Sequence, residues 1–323
     1  MKSKLITVIP VYNGEAFILQ TLESVARQSM RPDRVIVTDN CSNDRTEELV
    51  RGFEQIRCEW RKNDQNTGCF GNCNRALEYA EETNYLHLIC ADDMILPGFY
   101  ESMITELESC EGRGLAYCVD ERIDENNQHL SVSGKVTGES EIQTVADFLE
   151  EKAEISNQAF SGSLLKTAYK PSPCQFRLDL PILADVVFWG DWGRHCKKIV
   201  RVRQSLAQYR WHPTNGTNFF APGLQALVLD EWKVMQMIEK SRGAPTGLLR
   251  QFKLKGLFAV RSGVKAKRFR QMGNLDYARQ IVMGARPLSG RLAWYLGQAV
   301  VEARELAVYK IGRRRRHPQN FYG

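Results

Sequence analysis

The first 120 residues alternate two hydrophobic rhythms. Leu5 to Val11 is a short run rich in β-branched residues and reads as a buried strand. Glu15 to Gln28 then places apolar residues at 18, 22 and 25 and at 19 and 26, the spacing of one helical face. A second strand is predicted over Arg34–Thr38. A helix follows from Asp44 towards Phe53, with Asp44 and Glu47 spaced as an N-cap and its capping-box partner. A weaker strand (Ile56–Trp60), a helix from Gly71 to Glu82, a strand over Tyr85–Ile89, a helix opened by Pro97 and a fifth strand over Leu115–Val119 continue the series. Alternation of this kind implies right-handed β-α-β crossovers, hence an α/β fold with a mixed, mainly parallel sheet flanked by helices. From Pro222 onward the pattern is helical. Leu292, Tyr295, Leu296, Ala299, Val300, Ala303, Leu306 and Ala307 keep helical spacing and lead into four consecutive arginines at 313–316.

Charge sharpens that division. Residues 1–220 hold 24 Lys and Arg against 32 Asp and Glu, a net −8, whereas residues 221–323 hold 20 against 6, a net +14. A basic rear implies an anionic partner. No aromatic-and-basic platform or groove-reading motif accompanies the arginines, so nucleic acid is not expected. The basic amphipathic segment 289–323 instead suits an anionic membrane surface, the alternative being a helix packed on the front half with a solvated tail. With 43% hydrophobic and 25% charged residues the chain is an ordinary globular protein. No apolar run reaches the length of a membrane span, and Leu5–Val11 is too short for a secretory signal. Nine scattered cysteines without a CxxC pair read as reduced thiols, so a cytoplasmic location is expected, peripheral to the membrane if the rear segment docks there.

In parallel sheets ligands bind beyond the carboxyl ends of the strands, and three predicted ends carry related chemistry. The first strand ends in Pro10-Val11-Tyr12-Asn13, the second in Asp39-Asn40, the fourth in Asp92-Asp93. Asp and Asn are common turn formers, so one acid per loop needs no function. Adjacent carboxylates after a buried strand are different, because they repel unless a cation joins them. Hard oxygen ligands select Mg2+ or Mn2+, which also take phosphate oxygens, so a metal-bound diphosphate is the economical inference.

Ile6 to Asn13, Thr21 to Val25 with Gln28, Val37 to Thr46, Asn66-Thr67-Gly68 with Asn74, and Ala91-Asp92-Asp93 with Pro97 together resemble glycosyltransferase family 2, densely over residues 5–100 and thinly over 155–217. The resemblance implies a GT-A type, Rossmann-like fold and an inverting transfer from a nucleoside-diphosphate-sugar donor, with a UDP-sugar as the default. It implies a catalytic domain over 1–220, its nucleotide-sugar half being 1–120 and its acceptor half 121–220, followed by the helical C-terminal extension 221–323. Carried onto this sequence, Pro10, Val11, Tyr12, Asn13 and Asp39 would hold the nucleoside, with Asn66, Gly68 and Arg75 near the donor. Asp92 would face the ribose or metal waters, and Asp93 would ligate the cation. Relatives often carry an Asp where Cys90 stands, and a thiol does not replace a carboxylate for a hard cation.

Inverting transfer needs a general base for the acceptor hydroxyl and a counter-charge for the departing diphosphate. The matching stretch is Leu183 to Trp192, within which Asp185, flanked by apolar residues, is the expected base and Asp191 the weaker choice. An N-cap role is the structural alternative for Asp185. Tyr209 to Thr217 resembles the closing segment of the family, where His212 can complete the metal site and Arg210 can face a phosphate. Ser161 and Gly162 match the small-residue turn beneath the acceptor, and Trp189 could stack on a sugar. The acceptor implied is a glycan or lipid-linked intermediate of surface-polysaccharide synthesis. Two rival functions are a nucleotidyltransferase, for which the first loop lacks the Gly-rich basic pattern, and a nucleotide-sugar-binding protein that has lost catalysis.

Overall fold

The computed structural model describes residues 3–153, 159–167, 174–212, 224–241 and 247–312. Four parallel strands form one side of a ten-stranded sheet: β1 (Ser3–Val11), β2 (Arg34–Asp39), β3 (Cys58–Lys62) and β4 (Thr83–Leu88). The order continues through β9 (Ser163–Lys166), β6 (Gly114–Ile123), β10 (Lys198–Arg210) and the short β5 (Met94–Ile95), giving β3-β2-β1-β4-β9-β6-β10-β5. Strand β7 (His129–Val132) pairs with β6, and β8 (Ser140–Gln143) with β10. The expected parallel pattern holds for β3-β2-β1-β4 and for β6 with β10. Strand β9 runs antiparallel between β4 and β6. Four residues are too few to show a period, which is why the sequence pattern did not announce it.

Alternation in β1 divides the sheet into two cores. Ile6 and Val8 face one side with Ile36, Leu86 and Leu88, under α3 (Gly68–Leu77) and α6 (Ala184–Arg194). Leu5 and Ile9 face the other with Val35, Val37 and Tyr85, under α1 (Ile18–Ala26) and α4 (Phe99–Glu108). Each such fully buried side chain contributes about 1.5–3 kcal/mol of transfer free energy. Helix α1 begins at Ile18 rather than Glu15 because the Glu15 N–H is drawn to Asp44, while Gly14 C=O accepts from Phe17 and Ile18. Helix α2 (Thr46–Arg51) starts two residues after Asp44. Asp44 Oδ1 accepts from Thr46 N at 3.0 Å and its Oδ2 from Glu15 N at 3.0 Å, so it bridges two loops instead of closing a capping box.

Past α5 (Val145–Ala153) and α6, four helices follow among the described residues: α7 (Leu224–Ser241), α8 (Leu248–Gln271), α9 (Leu275–Ser289) and α10 (Arg291–Gly312). Val228, Met235, Phe258, Ala259, Ala278, Ile281, Ala285 and Trp294 make a third core among them. Helix α7 also sends Val234 and Ile238 into the sheet-side core. Two adjacent buried acids on α7 mark the junction. Asp230 accepts from Ile182 N (2.9 Å) and Leu183 N (3.4 Å) just ahead of α6, and Glu231 pairs with Lys265 and, at 3.5 Å, Arg261 on α8. Pro222, residues 213–217 and the arginines at 313–316 lie outside the described residues.

Candidate active site

The loops after β1, β2 and β3 are bound to one another chiefly by side-chain to backbone hydrogen bonds. Asn13 N donates to Ser42 Oγ (2.8 Å), Asn43 N to Asn13 Oδ1 (2.9 Å), and Gly14 N to Thr46 Oγ1 (2.8 Å). Asn40 sits at the centre of a second set. Its Oδ1 accepts from Thr67 N (2.9 Å) and Asn63 Nδ2 (3.1 Å), and its Nδ2 donates to Asn66 Oδ1 (2.9 Å) and Gly68 C=O (3.1 Å). Gly68 has φ +75, a left-handed conformation that favours glycine. Asn72, which sequence reasoning passed over, is buried and donates to Thr38 C=O (2.8 Å) and Val11 C=O (3.3 Å), joining the ends of β1 and β2. Inside this frame Asp39 is fully buried. Its Oδ1 accepts from Ser42 N (2.9 Å). Its Oδ2 has no hydrogen-bond partner among the described residues and lies 4.0 Å from Lys62 Nζ. A buried carboxylate oxygen without a donor is a costly arrangement that a ligand N–H or O–H would relieve. Tyr12 stands beside these loops, half exposed.

Asp92 and Asp93 have different environments. Asp93 is buried, its Oδ2 accepting from Ser161 Oγ (2.5 Å) and its Oδ1 from Arg210 N (2.8 Å). Burial and the neighbouring Asp92 charge push its carboxyl well above the ordinary range, against the lowering effect of those two donors. The Asp92 side chain is 30% exposed, and its Oδ2 lies 3.0 Å from His212 Nε2. Cys90 completes a cluster in which one ligand atom from each of the three residues lies within 4.8 Å of the others. Burial, then Asp93 and Asp92, push the Cys90 thiol far up, so it stays protonated and is a poor ligand for a hard cation. The two carboxylates and the imidazole fit Mg2+ or Mn2+, with Asp92 offering the open oxygen.

Arg210 is buried at the end of β10 and turned inward. It donates to Asp92 C=O (2.8 Å), Asp124 C=O (3.1 Å), Asn127 Oδ1 (2.8 Å) and Gln20 Oε1 (2.9 Å), and stacks 4.6 Å from the Phe17 ring centroid. It orders the backbone around the acid pair instead of presenting a free fork. Behind the pair, His87 is buried in β4. Its Nε2 meets Ser161 C=O at 3.0 Å, and a carbonyl can only accept, so Nε2 carries the proton. Nδ1 therefore accepts from Tyr100 Oη (3.0 Å), which in turn receives Thr7 Oγ1 at 2.6 Å. Burial lowers the His87 pKa to about 4, which keeps the ring neutral.

Asp185 lies in the first turn of α6, partly buried, with its Oδ1 2.8 Å from Val186 N. The thiol of Cys69, at the start of α3, is lowered by a hydrogen bond from Cys73, against burial and the charges of Asp92 and Asp185. Both charges thus act on one thiol at the start of α3. Lys152, which sequence reasoning also passed over, is buried on α5. Desolvation lowers its pKa to about 8 while Glu151 and Asp185 oppose the drop. Asp191 instead faces Arg194 at 3.2 Å.

Three expectations change. Trp189 is 1% exposed and stacks on Phe160 at 5.0 Å within a cluster that includes Phe188 and Phe176, so it is core and not a sugar platform. Ser161 and Gly162 are buried under β4 and β6, where Ser161 holds Asp93 and Gly162 C=O accepts from Cys118 N (2.9 Å). They support the acid pair and do not line an acceptor surface. Arg75 lies on the exposed side of α3, 3.6 Å from Glu78, and no contact among the described residues joins it to the acids. Asp39, Asn66 and Gly68 are gathered with Pro10 to Asn13 in the loops after β1, β2 and β3, and Asp92, Asp93 and His212 just past β4 and β10.

A sequence model described as glycosyl transferase family 2 matches residues 7–168. The chain is 26% identical over 162 residues to a Campylobacter jejuni β-1,3-glucosyltransferase named for GalNAc(5)-diNAcBac-PP-undecaprenol, covering 49% of this chain and 50% of that protein. An uncharacterized glycosyltransferase of Rickettsia typhi is 27% identical over 127 residues, 38% of each chain. The chain therefore spans half or less of the curated relatives it matches. In three dimensions it is similar to residues 1–349 of S. aureus TarS in complex with UDP-GlcNAc, with a TM-score of 0.57 and 16% identity over 86% of this chain and 90% of that one. The UDP complex of the same protein gives 0.56 and 16% over 98% and 94%. At that identity the likeness concerns the fold, which is of the GT-A type. The family match takes in half of the chain and every strand-end acid from Asp39 to Asp93, and the chain belongs to glycosyltransferase family 2.

Proposed function

We propose that this chain transfers one sugar, with inversion, from a nucleoside-diphosphate-sugar donor to a hydroxyl of a glycan or lipid-linked acceptor in surface-polysaccharide synthesis. The observation that carries the reading is the pairing of Asp92, at the end of β4, with His212, just past the end of β10, in front of a buried Asp93. A UDP-sugar is the favoured donor, in line with the UDP-GlcNAc and UDP complexes of the TarS structures. A lipid-linked acceptor accords with the undecaprenol named for the Campylobacter relative. The catalytic unit is residues 1–220, and the basic helices beyond it meet the anionic cytoplasmic face of the membrane through residues 289–323.

Asp39 receives the base through its unpartnered Oδ2, and the turn from Pro10 to Asn13, with Tyr12, holds the nucleoside. Asp92 and His212, backed by Asp93, would hold Mg2+ or Mn2+. When bound, that ion supplies the positive charge that eases departure of the diphosphate. Asp93, which the family resemblance makes a direct ligand of the cation, also accepts from Ser161 and Arg210 and is held by them. Asp185 takes the proton from the attacking acceptor hydroxyl, and its charge acts on the buried Lys152 of α5. Buried aromatic residues behind Asp185 hold α6 rigid, so the base is positioned by the core.

Incubating the chain with a panel of nucleoside-diphosphate sugars and Mn2+ tests the reading. Metal-dependent release of a nucleoside diphosphate is expected from one donor class. Release from none of them, with any divalent ion, would count against it.

A further inference from the structure

Helix α10 is apolar on two opposite sides. On one, Ala293, Trp294, Gly297 and Val301 are buried. There α10 lies so close to α8 that a Cβ on Gly297 would sit 2.8 Å from Ala259 Cβ and 3.1 Å from Val260 N. Gln298 Nε2 adds a hydrogen bond to Ala259 C=O at 3.2 Å. On the other side Leu292, Tyr295, Leu296, Ala299, Val300 and Ala303 are all exposed, the four large ones by 65, 59, 51 and 44%. Their spacing of three, one, three, one and three makes a single stripe over three turns, roughly 16 Å long. The buried side already anchors the helix, so the outward stripe does nothing for folding. A face bound for water carries polar residues, and a continuous apolar stripe marks a partner.

The charges around the stripe say which partner. Residues 248–312 hold 13 Lys and Arg against 3 Asp and Glu. Arg291 opens the stripe, and Arg286 flanks it, donating to Tyr295 Oη at 2.9 Å with its guanidinium 5.4 Å from that ring. Arginine beside tyrosine at the rim of an apolar face is the arrangement that lets chain stems lie in hydrocarbon while charged heads reach lipid phosphates. A second copy of the chain would bring the same excess of positive charge against itself, which disfavours a dimer through this face. No described helix is long and apolar enough to cross a membrane. We propose that the outward face of α10, Leu292 to Ala303, lies on an anionic lipid bilayer, its apolar stripe inserted below the headgroups and Arg286 and Arg291 at their level. This rests on the membrane reading given above and deepens it, by naming the helix face that is inserted and the arginines beside it.

Flotation of the full chain with phosphatidylglycerol–phosphatidylcholine vesicles, and with pure phosphatidylcholine vesicles, tests the proposal. The chain is expected to float with the anionic vesicles only. Replacing Leu292, Leu296 and Val300 together by Ser should weaken that binding about tenfold or more, with circular dichroism and melting temperature unchanged. Arg286→Gln and Arg291→Gln should each cost about fivefold and flatten the salt dependence. If the triple variant floats like the parent, the stripe is not the contact and the proposal falls, while the basic tail remains as the membrane anchor. If the parent floats with neither vesicle, the membrane reading falls too. Loss of a parent dimer in the triple variant, without vesicle binding by either, would make this face an interface between copies.

Discussion

The loops around Asp39 and Asp92 and the helices α7–α10 treat their surfaces in opposite ways. In the loops the side chains of Asn40, Asn72 and Ser42 bond to neighbouring backbone, and Asp39 and Asp93 are held by donors in fixed directions. In the C-terminal helices the large apolar side chains Leu248, Leu249, Leu292 and Leu296 stay in contact with water, amid an excess of cations. The first region is organised for a small ligand whose donors and charges it must meet at defined points. The second, under the membrane proposal, would meet an extended anionic surface, where position along the surface does not matter. Asp230 and Glu231 join the two, one tied to the start of α6 and the other to α8.

Four changes would break or sharpen this contrast. Asp185→Asn removes the proposed general base and should lower the transfer rate about 10²- to 10⁴-fold, with donor binding by calorimetry near the parent value. Donor affinity lost in step with rate would move Asp185 into the donor site. Acidification acts next, through His87. Its folded pKa of about 4 lies below the ordinary 6.5, so the unfolded chain binds the extra proton within that window. The stability from keeping this ring neutral is complete above pH 6.5 and lost as pH falls towards 4, about 3 kcal/mol in all. Urea unfolding should therefore show a flatter pH slope for His87→Asn than for the parent. Ser161→Ala leaves a buried oxygen of Asp93 without its donor and should cost about 1–3 kcal/mol in the same assay. Asp230→Ala removes the acceptor for two N–H groups ahead of α6 and should cost about 0.5–2 kcal/mol, with transfer falling further than stability if α6 carries the base.

Most of the donor side could be read from the residues. Strands rich in Val and Ile with short loops give the parallel β-α-β pattern and the strand ends, and Asp39 and the Asp92–Asp93 pair stand at those ends, while the order β3-β2-β1-β4 is seen only in the structure. What lay out of reach depended on contacts distant in sequence. Ser161 looked like part of a small-residue turn beneath the acceptor and lies against Asp93, 68 positions away. Arg210 looked like a phosphate fork and is fixed by four hydrogen bonds to two loops and a helix around it. Trp189 is on a helix whose apolar residues leave no polar side to show which face is buried. The stripe on α10 was visible as a period, yet only the packing of Gly297 on Ala259 shows that the helix is buried by its other side.

The central claim is that Asp92 offers the open oxygen of a cation and diphosphate site. Thermal unfolding of the parent chain and of Asp92→Asn, each with UDP at saturation, with and without Mn2+, tests it most directly. The parent should gain several degrees with both ligands together and little with either alone, and Asp92→Asn should lose that joint gain. An equal gain in the variant, or a parent gain independent of Mn2+, would contradict it.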